Sequence, residues 1–128
     1  MKLNNFQINK IKGLLDLKGK TSIIVDPYNN FESCESSILI DDEGMISLYE
    51  HTILDNYDRI LLNVESYFEN YDLNKFIKHL YYNHLNKNGI LIGLFENVNI
   101  TNFKKLFGDV FVEVNNELNN IQLMIVRS

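Results

Sequence analysis

Three histidines, one cysteine and a scatter of carboxylates are the side chains of this sequence with chemistry to offer. Nucleophilic or metal chemistry needs such groups in sets, a base beside its nucleophile or three to four ligands at fixed spacing. Cys34 is the only cysteine. It has no disulfide partner and no second thiolate for a metal, so it reads as a small, partly buried side chain. His51 lies near Glu50 and Asp55, but no nucleophile is placed beside them. His84 falls in an apolar helical stripe and His79 on the polar face of the same helix. With no Asp or Glu at metal spacing around either, they read as a hydrogen-bonded core histidine and a surface histidine, and no metal is expected. Tyr81 belongs to the stripe, while its neighbour Tyr82 points elsewhere. A phosphate-cradling lysine loop, a Gly-x-Ser-x-Gly elbow and a paired-Cys zinc pattern are all missing from the sequence.

The elements that must position these groups centre on Tyr57 to Phe95. Tyr57 to Val64 is a short apolar run led by polar residues, and Gly89 to Phe95 is a second. Between them Leu73, Phe76, Ile77, Leu80, Tyr81, His84 and Leu85 keep the i, i+3, i+4, i+7 spacing of one helical face. Asp72 can cap this helix, predicted over Leu73 to Lys87, and Gly89 can end it in the left-handed conformation. Strands buried on both faces read as continuous apolar runs, so the unit is a βαβ crossover in a parallel sheet.

Upstream, Asn4 or Asn5 can cap a helix whose Ile8, Ile11, Leu14 and Leu15 share a face, with Gly19 as its stop. Thr21 to Asp26 reads as a buried strand ended by Pro27, and Ser37 to Asp41 as a second, followed by the turn signal Asp42-Glu43-Gly44. Met45 to His51 fits a strand, and also a short helix. Downstream, Thr101 can cap a short helix with Phe103, Leu106 and Phe107, ended by Gly108. Val110, Val112 and Val114 then alternate with Phe111 and Glu113, a polar loop spans Asn115 to Asn120, and a last strand runs from Ile121 to Val126. Two strands joined by so short a loop must pair antiparallel or sit beside a third strand, so the C-terminal edge departs from the parallel pattern.

At 128 residues, 45% hydrophobic and 23% charged, the chain fits a single domain over residues 1–128 with a core that needs no staple. No apolar run reaches the roughly 20 residues that span a bilayer, and the first residues do not form a secretory signal, so a cytoplasmic protein without membrane contact is expected. A net charge of -5 and pI near 5.1 disfavour a nucleic-acid partner. Lys10, Lys12, Lys18 and Lys20 make the N-terminal segment locally basic, as a solvated helix face does.

The stretch Tyr57-Asp58-Arg59-Ile60-Leu61-Leu62-Asn63, an amphipathic helix, Leu85-Asn86-Lys87-Asn88-Gly89-Ile90-Leu91-Ile92-Gly93, a short helix and a closing strand pair together resemble the last four strands of the class I S-adenosylmethionine-dependent methyltransferases. The resemblance covers roughly residues 57 to 128. It implies an α/β, three-layer Rossmann-like domain with a mostly parallel sheet, an antiparallel C-terminal strand pair and, given the short span from Pro27 to Ser36, reduced helices in the first half. It also implies a cofactor site after the first two strands. Matching Ile24-Val25-Asp26 to the family's first strand places Tyr28 and Asn30 where its glycine-rich loop belongs, and none of the six glycines forms a Gly-x-Gly. Side chains there would fill space that the methionine moiety needs. Asp26 and Tyr28 thus line the implied cofactor position, and Asp41 stands where the family's acidic residue accepts hydrogen bonds from the ribose. A solvated turn is the other account of Asp41. Asn63 and Glu65 fall where the family contacts substrate, or they cap nearby backbone.

The expectation is therefore a degenerate methyltransferase-like domain, leaning away from catalysis, that acts by binding a protein partner or a second copy of itself. No cofactor is expected, and S-adenosylmethionine is the one implied if the site is intact. Two rivals stand beside it. One is a minimal active methyltransferase completed by a partner subunit. The other is an acidic interaction module of the immunity or antitoxin type, suggested by the -5 charge.

Overall fold

The computed structural model describes residues 1–31, 37–38, 55–63, 73–96, 105, 107–108, 110–118 and 120–128. Helix α1 spans Asn5–Leu15. Asn4 caps it in a full capping box, its side chain accepting from the Gln7 N–H while the Gln7 side chain accepts from the Asn4 N–H. Asp16, at φ 49°, ends the helix and donates its N–H to the Lys12 carbonyl. This corrects the expected stop at Gly19, which lies in the following turn at φ 71°. Arg59 closes the same end, its buried guanidinium donating from Nε to the Leu15 carbonyl at 2.5 Å. A cation at a helix C-terminus meets the negative end of the dipole and an orphan carbonyl at once.

The remaining elements are β1 (Ser22–Val25), β2 (Ser37–Ile38), β3 (Tyr57–Leu62), α2 (Leu73–His84), β4 (Leu85–Phe95), β5 (Val112–Leu118) and β6 (Ile121–Arg127). They form a sheet of order β2-β1-β3-β4-β6-β5. Strands β2, β1, β3 and β4 run parallel, and β6 is antiparallel to both β4 and β5. The predicted βαβ unit is β3-α2-β4. The fold is α/β and Rossmann-like, with a mostly parallel sheet and an antiparallel C-terminal pair.

The period-2 alternation of strand side chains sorts the core into two clusters. Ile23, Val25, Ile60, Leu62, Leu91, Phe95, Met124 and Val126 face α2, where Phe76, Ile77 and Leu80 cover them. Ile24, Leu61, Ile92, Leu94, Leu123 and Ile125 face α1, where Ile11 and Leu15 cover them, with Phe31 in the same cluster. The sheet is thus the middle layer of three.

Three further expectations need correction. The central helix ends at His84 rather than Lys87, and Leu85 already pairs with Tyr57 before the register shifts to Arg59 opposite Ile90. The left-handed residue in that irregularity is Asn88, at φ 65°, and not Gly89. Gly89 is required by close approach instead: a Cβ there would lie 2.7 Å from both the Asn86 carbonyl oxygen and Leu85 Cδ1. The polar run after Val114 is no loop, because β5 continues to Leu118, which is fully buried. Gly108 does take the left-handed conformation, at φ 56°. The expected cap Asp72, the expectation for Met45 to His51, and Thr101 and Phe103 lie outside the described residues.

Asp58 ties three strands together. It accepts from the Thr21 N–H and hydroxyl at the start of β1, each at 3.1 Å, and from the Asn86 carboxamide in β4, also at 3.1 Å. The hydrogen bond from Asn86, then those from Thr21, hold its carboxyl below the ordinary carboxylate value. A depressed folded-state value contributes stability above the unfolded value, near pH 4, that is lost as pH falls through the folded value. Asp58→Asn should therefore be less stable than the parent at pH 7 and show a shrinking deficit below about pH 4, measured by urea unfolding across pH. A deficit that stayed constant with pH would contradict this. Gly89→Ala should lower the unfolding free energy by about 1–3 kcal/mol, since the clash is with backbone that cannot swing away.

Candidate functional site at the strand ends

In an open parallel sheet, ligands bind beyond the carboxyl ends of the strands. Here β1 and β3 are in register, Val25 opposite Leu62, so the next residue of each, Asp26 and Asn63, stand side by side. The Asn63 N–H donates to the Val25 carbonyl at 2.9 Å and holds that alignment one residue past the strands. Both side chains are buried, Asp26 completely.

A buried carboxyl must be surrounded by donors. Asp26 obtains them from the loop that follows it. Oδ2 accepts from the N–H groups of Asn30 at 2.6 Å and Phe31 at 3.2 Å. Oδ1 accepts from the Tyr28 N–H at 3.3 Å, the Asn30 carboxamide at 3.1 Å and the Asn63 carboxamide at 3.0 Å. Asn29, at φ 58°, makes the reversal that brings these N–H groups back onto one side chain. Phe31 is thereby drawn into the core on the α1 face, and Tyr28 is left half-buried.

Beyond this loop lies the start of the chain. The Met1 carbonyl accepts from the carboxamides of Asn30 at 2.8 Å and Asn63 at 2.9 Å, and the Leu3 N–H donates to Asn30 Oδ1 at 2.8 Å. Met1 and Leu3 also pack against the apolar cluster on the α1 face.

The structure thus brings Asp26, Tyr28 and Asn63 together, the last two directly bonded to the first. Asp41 and Glu65 lie outside the described residues. Asn30 as the polar hinge of the site, and the reach of Met1 and Leu3 to it, are not among the sequence expectations. A buried Asp followed by a Pro-x-Asn-Asn turn was the available signal.

The histidines also differ from expectation. His84 is buried as expected, but His79 is its partner, with the two Nε2 atoms 3.1 Å apart. His84 Nδ1 lies 2.8 Å from the Asp55 carbonyl, to which it can only donate, so His84 Nε2 accepts from His79. The Asn83 carboxamide in turn faces His79 Nδ1 at 2.9 Å. Among the described residues no three metal-ligating side chains converge, and no helix is long and apolar enough to cross a membrane.

Solved structures similar to this fold include TehB from Haemophilus influenzae, at a TM-score of 0.59 and 14% identity, covering 100% of this chain and 63% of that one. A methyltransferase from Pyrococcus furiosus matches at 0.53 and 14%, covering 91% of this chain and 81% of that one. Phospholethanolamine N-methyltransferase 2 of Haemonchus contortus, in complex with phosphomonomethylethanolamine and S-adenosylhomocysteine, matches at 0.53 and 15%, covering 95% and 36%. This chain has the class I methyltransferase-like fold. It spans less than two thirds of the TehB chain. No family model matches the sequence, and no curated protein does.

In this methyltransferase-like sheet Asp26 is the residue on which the site is built. Asp26→Ala should strip the partners from the N–H groups of Tyr28, Asn30 and Phe31 and lower the unfolding free energy by about 2–4 kcal/mol. Equilibrium urea unfolding checks it. A change below about 0.5 kcal/mol would show that the loop holds without its anchor.

Proposed function

We propose that the chain is a methyltransferase-like domain without S-adenosylmethionine catalysis, which acts by binding another protein. One observation carries this reading. The carboxyl of Asp26, at the end of the first strand, is saturated from inside the chain by Tyr28, Asn30, Phe31 and Asn63.

A cofactor lying against this strand end needs backbone that it can approach closely. The loop after β1 carries no glycine. A carboxylate has about four lone-pair sites, and those of Asp26 are taken by its own loop and by Asn63. The space in front of Asn63 holds the Met1 backbone. The described residues at this strand end do not fit S-adenosylmethionine as they are arranged.

Protein binding is supported by what the fold leaves outside. Phe6, Tyr82 and Phe111 are large exposed apolar side chains, Phe111 at 77%. Exposed aromatics are anchors of the kind that interfaces bury.

Isothermal titration of the folded chain with S-adenosylmethionine and with S-adenosylhomocysteine tests the reading. It predicts no saturable heat up to about 1 mM ligand. Binding in the micromolar range would overturn it.

A further inference from the structure

We infer that Asn30 and Asn63 form a receptor for an extended peptide main chain, and that Met1–Leu3 is the tethered peptide now filling it. The inference rests on the preceding reading, since it names what the strand-end site takes in place of a nucleoside.

The geometry is that of main-chain recognition. In an extended segment the carbonyl of one residue and the N–H of the residue two further on can be met by one partner, as an adjacent strand meets them. Asn30 meets both with one side chain. Its Nδ2 donates to the Met1 carbonyl at 2.8 Å, and its Oδ1 accepts from the Leu3 N–H at 2.8 Å. Asn63 Nδ2 gives the same Met1 carbonyl a second donor at 2.9 Å. These contacts use peptide groups that any sequence carries, and the Met1 amino group adds a longer one, donating to Asn63 Oδ1 at 3.4 Å.

The receptor is built in advance of its occupant. Asn30 Nδ2 and Asn63 Nδ2 both donate also to Asp26 Oδ1, at 3.1 and 3.0 Å, and this fixes which way each carboxamide faces. Asn63 is buried and stands one residue past β3, beside Asp26 one residue past β1. A rigid polar pair beside an apolar shelf is what a short extended peptide needs, and the side chains of Met1 and Leu3 lie on that shelf, against the α1-face cluster. The occupant in trans is therefore an extended peptide segment with apolar side chains at its first and third positions.

Removing residues 1–3 and acetylating the new amino terminus empties the receptor while Asn4 keeps the amide N–H that it donates to Gln7 in the capping box. The shortened chain is titrated with a fluorescein-labelled hexapeptide of sequence Met-Lys-Leu-Asn-Asn-Phe, followed by anisotropy, with circular dichroism to establish folding. Saturable binding is expected in the shortened chain. About tenfold weaker binding is expected for the same peptide carrying Leu3→Pro, which lacks the N–H that Asn30 accepts. A flat titration on folded protein, or equal binding of the two peptides, overturns the inference, while the cofactor titration of the intact chain judges the preceding reading separately. Should the shortened chain not fold, the intact chain carrying Asn30→Ala is compared with the parent by hydrogen exchange. The Leu3 amide should exchange at least about tenfold faster relative to the β3 amides, and an unchanged ratio overturns the inference.

Discussion

A carboxyl group buried at the end of the first strand is the constraint from which the site follows. Taking Asp26 out of water costs several kcal/mol unless donors replace the lost solvent. The nearest donors are the N–H groups of the residues just after it, and they reach it only if the chain reverses at once, with Asn29 left-handed. That reversal sends Phe31 into the core on the α1 face and points the Asn30 carboxamide across the strand ends. Asn63 completes the set from the neighbouring strand. Among the described residues no buried side-chain nitrogen or oxygen lacks a partner. The loop is therefore a folded part of the core boundary, in a place where such sheets elsewhere leave room for a ligand.

The layers were legible in the sequence because burial imposes periodicity. The alternation of Ile23 and Val25 against Ile24, and of Ile60 and Leu62 against Leu61, is the two-sided core itself. The stripe from Leu73 to His84 is the face of α2. What stayed hidden were bonds between residues far apart in sequence, such as Met1 with Asn63 and His84 with the Asp55 carbonyl. No local pattern announces these, because a carboxamide or imidazole looks the same whether it bonds to water or to a distant carbonyl. The same limit explains Gly89. Its sequence position suggested a left-handed cap, yet its need is for space beside the Asn86 carbonyl, which depends on a register shift between β3 and β4 that pattern does not show.

Tyr28 and Asn30 follow the first strand, as the sequence places them, but bulk is not what they bring there. Bulk at Tyr28 and Asn30 was expected to close the strand-end space. Asn30 closes it through hydrogen bonding rather than bulk, and the ring of Phe31 is in the core. This difference has a physical consequence. A steric plug can be relieved by one small residue, whereas a saturated carboxyl is relieved only by something that offers equivalent donors. Likeness to the TehB structure therefore concerns the fold and leaves the chemistry to the loop.

The tether sets how any partner peptide must compete. A segment joined to its own receptor through a short connection is present at an effective concentration on the order of millimolar. Here the connection is short, since Asn4 already caps α1 and α1 is packed on the sheet through Ile11 and Leu15. A free peptide making only the same contacts would displace Met1–Leu3 only near that concentration. A partner effective at micromolar levels must add contacts elsewhere, about 4 kcal/mol of them by the usual conversion of affinity to free energy. Apolar surface outside the strand-end site is the natural source, and exposed Phe6, on the first turn of α1, stands nearest in sequence to the residues that would be displaced. A displaced strap would also carry Leu3 away from the apolar cluster, so the same partner must cover the surface that Leu3 uncovers.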